Sequence, residues 1–183
     1  MADAAVTADP TEAMIAAMSK PEATWAAPAR DDALARLRAM GLPQRRDEYW
    51  KYTRPDKLTQ IDAPAAEVLV TDEVPMFDSV ERLQIVFVDG VFDAEASDDL
   101  SLEGVTIERL ATADSDLHWA KNLYGVLETR GQTPVARPLA ALNTAFATDG
   151  VLIHVTGKPS KRINLTYHHK LKSSDAILHH CIK

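Results

Sequence analysis

The sequence predicts an α+β protein, with an N-terminal α/β region of helices and a β-hairpin leading into a run of strands. Three observations carry this expectation. Apolar residues recur at helical spacing before Gly41 and again between Asp116 and Phe146. β-branched residues flank an Asp89-Gly90 dipeptide, and three strand-like apolar runs follow Gly150. The 183 residues, 46% of them hydrophobic and 26% charged, can bury a real core, which argues against wholesale disorder.

The elements follow in order. A first helix begins near Thr11, with Met14, Ile15 and Met18 on one stripe, and Pro21 ends it. Pro28 and the Asp31–Asp32 pair prepare a second helix, the acidic pair serving as N-cap. Leu34 and Leu37 point inward there, Arg36 and Arg38 outward, and Gly41 with Pro43 stops it. Strand character starts at Val68-Leu69-Val70 and strengthens in Leu83–Phe92, where Asp89-Gly90 suits a type I′ turn. Val105-Thr106-Ile107 is a further strand. Helical spacing returns over Asp116–Leu127, with Leu117, Ala120, Leu123, Tyr124 and Leu127 on one side. Pro138 opens another helix, in which Leu139, Leu142, Asn143 and Phe146 recur, until Asp149-Gly150 stops it. The runs Val151–Thr156, Arg162–Tyr167 and Ala176–Ile182 then fit a coil-stacked sheet, a sandwich or a meander. The organisation is a helical segment over 1–41, an α/β region over 42–149 and a strand core from 150 to 183.

Charge is unevenly placed. Residues 1–150 hold 14 basic and 26 acidic residues, whereas 151–183 hold six basic residues and only Asp175. The net charge of −7 argues against general nucleic-acid binding, which needs a basic surface. The longest uncharged run, Pro138–Thr148, has 11 residues, where a membrane helix needs about 20. No basic residue precedes an apolar run at the N-terminus, and the Arg45–Arg46 pair is internal and followed by acids, so no export signal is read. A single cysteine, Cys181, excludes an internal disulfide framework and any zinc finger built on two thiolates. It also favours a reducing, cytoplasmic setting. Because the chain stops inside the apolar run Ala176–Ile182, it is expected to be the front part of a longer protein.

Two side-chain constellations invite a functional reading. Five of six histidines (His154, His168, His169, His179, His180) lie after Gly150, and His179-His180-Cys181 could offer imidazole and thiolate to a metal. Strand alternation would send His179 and Cys181 to one face and His180 to the other, and no known zinc spacing is matched. Histidines on a strand surface are otherwise hydrogen-bonded or solvated polar residues. The second constellation is Arg45-Arg46-Asp47-Glu48-Tyr49-Trp50-Lys51-Tyr52-Thr53, the densest aromatic and charged run of the chain. It could stack a base or hold a phosphate. The reading favoured on composition is structural, with aromatics anchoring the helices to the sheet and charges paired or solvated. No phosphate loop, GxSxG or HExxH motif is present, so no enzymatic activity and no catalytic residue are assigned.

The run Leu42-Pro43-Gln44-Arg45-Arg46-Asp47-Glu48-Tyr49-Trp50-Lys51-Tyr52-Thr53 resembles the N-terminal signature of the SufB/SufD family, on its SufD side, in the SUF iron–sulfur cluster assembly system. There a helix ending in Gly-Leu-Pro precedes an Arg-x-Glu-x-Trp-(Lys/Arg)-Tyr-Thr run. Leu142–Phe146 leading through Asp149-Gly150 into Val151–Val155 is similar to the family's entry to its core, and Phe87–Phe92 is a third, weaker match. The resemblance implies that 150–183 begins a right-handed parallel β-helix, here truncated. It implies a non-catalytic scaffold or accessory subunit working with a SufB-like paralogue and a SufC-like ATPase, whose contacts lie mostly further along the chain. It implies no membrane and no nucleic-acid partner, and an iron–sulfur cluster in the assembled complex but none held by this stretch alone. Arg46, Glu48, Trp50, Lys51, Tyr52 and Thr53 form the family-signature patch, and no catalytic, cofactor or metal residue is carried over. The absence of any cysteine before Cys181 and the Trp50–Thr53 run favour SufD over SufB. The alternative from a different class is a small metal-binding or metalloenzyme domain built on the C-terminal His/Cys cluster.

Overall fold

A computed structural model describes residues 9–21, 25–62, 76–113, 118–130, 135–170 and 177–183. The expected strand at Val68–Val70 lies outside these residues. Helix α1 (Pro10–Ala17) is capped by Asp9, whose side chain accepts from the Thr11 N–H at 2.8 Å. Helix α2 (Ala27–Met40) starts four residues ahead of the expected Asp31–Asp32 cap. Pro28 in its first turn fits a helix start, which leaves both aspartates inside the helix. Gly41 ends α2 as expected, its N–H returning to the Leu37 carbonyl at 2.8 Å.

Strands β1 (Arg82–Val88) and β2 (Val91–Asp93) form the expected hairpin. Asp89 (φ 48) and Gly90 (φ 80) are both left-handed, as a two-residue type I′ loop requires. Strand β3 (Val105–Arg109) follows, then the short helices α3 (His118–Lys121), α4 (Val126–Thr129) and α5 (Pro138–Phe146). The last strands are β4 (Val151–Val155), β5 (Arg162–His168) and β6, which is only Cys181–Ile182. Leu127, expected on the inward helical stripe, is 73% exposed, because Gly125 at φ +73 breaks that stripe between α3 and α4.

Two three-stranded sheets result, ordered β2-β1-β5 and β3-β4-β6. Within them β5 runs parallel to β1 and β6 parallel to β4, whereas the β1–β2 and β3–β4 pairs are antiparallel. The chain therefore leaves the second sheet after β4, joins the first as β5 and returns as β6. Leu152 pairs with Cys181 and Asp149 bridges Leu178, so this circuit closes with an offset of 29 residues.

Leu83, Ile85 and Phe87 of one sheet meet Val151 and Ile153 of the other in a shared core, which Phe92, Ile107, Ile163 and Leu165 extend. Alternation decides this: odd-numbered residues of β1, β4 and β5 face inward. Each such large side chain contributes about 1.5–3 kcal/mol on burial. The opposite face of the second sheet, through Leu152 and Cys181, is covered by Trp25, Ala26, Ala120, Tyr124 and Ala147. Beyond it Ala33 of α2 meets Ala145 and Phe146 of α5. The buried face of α5 is Ala141, Thr144 and Ala145 with Phe146, while Leu142 is only partly buried. Small residues let α5 approach α2 closely, which the periodicity of the leucines did not convey.

At the entry to β4 the chain is held on all sides. Asp149 is 5% exposed and its carboxylate accepts from Ala111 N–H (3.1 Å), Gly150 N–H (2.8 Å) and the Arg109 guanidinium (Nε at 3.1 Å). Gly150 sits at φ +154, and a Cβ there would lie 1.9 Å from the His179 carbonyl oxygen. That backbone contact has no flexible side chain to yield. Gly150→Ala is therefore expected to destabilise the protein by about 3 kcal/mol or more. A loss of unfolding free energy under about 1 kcal/mol in urea titration would show that the β4–β6 approach is not fixed as described.

Candidate functional site

The signature patch is built on two short 3-10 turns, Glu48–Trp50 and Pro55–Lys57. Asp47 closes the loop before the first turn: its carboxylate accepts from the Gln44 N–H at 2.8 Å, and its carbonyl from the Trp50 N–H at 2.9 Å. Thr53 N–H then donates to the Trp50 carbonyl at 3.1 Å. Pro43 and Pro55 are buried and hold the ends, while Arg46, Glu48, Lys51, Tyr52 and Thr53 are exposed and Trp50 is half-buried. Tyr52 is 92% exposed and Tyr49 60%.

Tyr49 and Tyr52 do not anchor the helices to the sheet, which corrects the structural reading of the run for these two rings. Tyr49 packs edge-on against Trp50 with centroids 5.8 Å apart, and Lys51 Nζ lies 5.6 Å from the Tyr52 ring. The Lys51–Glu48 pair, at 3.9 Å on exposed side chains, contributes little. What anchors instead is Trp25, which meets Tyr124 edge-on at 5.7 Å and is 6% exposed.

The histidines separate as strand alternation requires. His179 stacks on Tyr124 at 4.3 Å, on the helix-covered face that Cys181 shares. His180 points between the sheets, where Phe87 lies 6.0 Å away. Its Nδ1 accepts from the Val151 N–H at 3.0 Å, which fixes the ring as the Nε2–H tautomer. Nε2 then donates to the Tyr167 hydroxyl at 2.8 Å. His180 thus bridges β4 of one sheet to β5 of the other. His168 and His169 are exposed at the end of β5, whereas Cys181 is buried on the helix-covered face of the other sheet. Among the described residues no three His, Cys, Asp or Glu side chains are grouped to hold a metal ion. Burial pushes the Cys181 thiol up to about 11, leaving it protonated and a poor ligand or nucleophile near neutral pH.

A buried polar cluster beside His179 escaped the sequence reading. Arg30 is 1% exposed; its guanidinium lies 5.6 Å over the Tyr124 ring and 3.4 Å from the Ala145 carbonyl. Desolvation lowers its pKa, and among the described residues no carboxylate pairs with it. Tyr124 donates to the Thr144 carbonyl at 2.7 Å, and burial pushes its pKa up to about 12. Glu128 is also raised by burial, an effect opposed by its ion pair with Arg36. Tyr124 stood on the expected helical stripe; Arg30 carried no signal beyond its place one turn after Ala26.

Burial lowers His179 to about 4, with His180 and Arg30 adding repulsion, and burial also lowers His180 against the opposing pull of Asp149. Both are neutral in the fold and protonate more readily in the unfolded chain. The contribution of His179 is complete above about pH 6.5 and is lost as pH falls toward 4, and that of His180 is lost in the same direction. For His179 the loss is on the order of 3 kcal/mol. Denaturant midpoints measured from pH 7 to 4 should fall accordingly, with a shallower slope in His179→Gln; a flat profile would contradict the buried neutral ring. Tyr52→Ala, by contrast, should change stability by less than about 0.5 kcal/mol in the same assay.

No curated protein matches the sequence. A family model, the SufBD protein N-terminal region, matches residues 11–162, from the first turn of α1 to the first residue of β5. That match takes in the 3-10 turns of the signature patch, the β1–β2 hairpin and the Asp149-Gly150 entry to β4, and on it the chain belongs to the SufB/SufD family.

Proposed function

We propose that this chain is the N-terminal portion of a non-catalytic scaffold subunit in an iron–sulfur cluster assembly complex, on the SufD side of the family. The observation that carries the reading is the family match over 11–162, which spans most of the chain and includes its most distinctive side chains. Several features support the finer statements. The β4–β5–β6 circuit, closing in parallel register after 29 residues, supports reading it as the start of a β-helix. The one cysteine is buried and protonated, in keeping with a stretch that assists assembly without holding a cluster itself. No Cys precedes Cys181, which fits SufD better than SufB. No helix among the described residues is long and apolar enough to cross a membrane, and a cytoplasmic site of action suits the cluster chemistry.

The partners in this reading are a SufB-like paralogue and a SufC-like ATPase, which supplies the only nucleotide hydrolysis. The full-length protein, co-expressed with both and purified anaerobically at low salt, is expected to co-elute with them in one stoichiometric complex. Elution of this protein alone under those conditions would refute the scaffold reading. ATP hydrolysis by the isolated protein would refute its non-catalytic part.

A further inference from the structure

Apart from Asp47, whose carboxylate closes the segment on the Gln44 N–H, the signature patch keeps its exposed side chains out of the fold's hydrogen bonds. Its backbone hydrogen bonds close within residues 44–59, and buried Pro43 and Pro55 fix both ends. Outside that frame Tyr49, Tyr52 and Leu58 stand 60%, 92% and 59% exposed. Residues 45–57 hold five cations against three carboxylates, in a region of the chain where acids outnumber bases 26 to 14. Arg45, Arg46 and Arg54 are exposed, and none pairs with a described carboxylate. Tyr, Trp and Arg are the residues that dominate binding energy in protein interfaces, and here six of the ten residues in 45–54 are of those types. Two prolines and two 3-10 turns hold the segment in shape, so less ordering entropy is lost when it docks.

We propose that residues 45–58 are a docking surface for an acidic protein partner, whose apolar pockets take Tyr49 and Tyr52 and whose carboxylates meet Arg45, Arg46 and Arg54. This rests on the scaffold reading and adds to it the chemistry of what is docked. Charge decides between macromolecules. A nucleic acid would meet Asp47, Glu48 and Asp56 interleaved with the cations, on a chain of net charge −7. A protein face can place its own lysines opposite those three and its acids opposite the arginines.

The test places a photoreactive benzophenone side chain at position 52 of the full-length protein, in cells that also make the SufB- and SufC-like subunits. The expected result is an adduct to another protein through a peptide of net negative charge. Its yield should fall about tenfold in Arg45→Glu/Arg46→Glu and recover when acidic residues of that peptide are replaced by lysine. No adduct, an adduct to nucleic acid, to a second copy or to another part of the same chain, or a yield indifferent to charge reversal would overturn the proposal. Unchanged thermal unfolding of the variant confirms that it is folded, as the exposure of these side chains requires. Co-elution with the SufB- and SufC-like subunits is scored on the same samples. An intact complex without the adduct removes the docking surface alone, whereas an adduct without the complex removes the scaffold reading alone.

Discussion

The Asp149 carboxylate, together with the bare Cα of Gly150, is the constraint on which the remaining structure hangs. The carboxylate takes donors from Arg109, Ala111 and its own neighbour, and so pins the end of β3 to the start of β4. Gly150 lets the His179 backbone come into contact, which brings β6 alongside β4. With β6 in place, His180 reaches across to Tyr167 and couples the two sheets, while His179 and Cys181 close the helix-covered face. Arg109 is itself positioned by the Phe92 ring, 4.5 Å below its guanidinium, so the hairpin is tied to the same junction. An Asp-Gly pair ahead of an apolar strand thus has a physical reason: one residue supplies the acceptor, the next supplies the space.

The buried polar groups around this junction make the C-terminal histidines structural. A neutral imidazole that accepts from the buried Val151 satisfies a donor which burial would otherwise leave unpaired, and its donation to the exposed Tyr167 hydroxyl adds a link to the other sheet. His180 has that role, and protonating Nδ1 would end it. His179 is held neutral by desolvation and by neighbouring positive charge, stacked where Tyr124 and Arg30 enclose it. The aromatic and cationic run near Tyr52 is the opposite case. Its exposed side chains make few contacts, and its backbone hydrogen bonds close within the run itself.

Much of the fold was legible because local chemistry and tertiary structure agree there. The Asp89-Gly90 turn needed two left-handed residues and found them; Gly41 closed α2; strand alternation correctly sent His179 and His180 apart. The misreadings have one common cause. The Asp31–Asp32 pair looks like a cap, but Pro28 and packing around Trp25 and Ala26 start the helix earlier. Leu127 fits the helical period, yet Gly125 interrupts the helix before it. Tyr49 and Tyr52 look like core anchors by type, and only their surroundings reveal that both stand exposed.

The sequence by itself determined the α+β class, most element positions and the family resemblance. Each of these depends on residue type, spacing or count along the chain. The tertiary structure alone decided that β5 leaves the sheet of its neighbours to pair with β1, that Arg30 is buried without a described carboxylate partner, and that His180 spans two sheets. These depend on contacts between segments some 30 to 115 residues apart, such as Val151 with His180 and Arg30 with Ala145. No local periodicity records which distant backbone will come to lie against a given side chain.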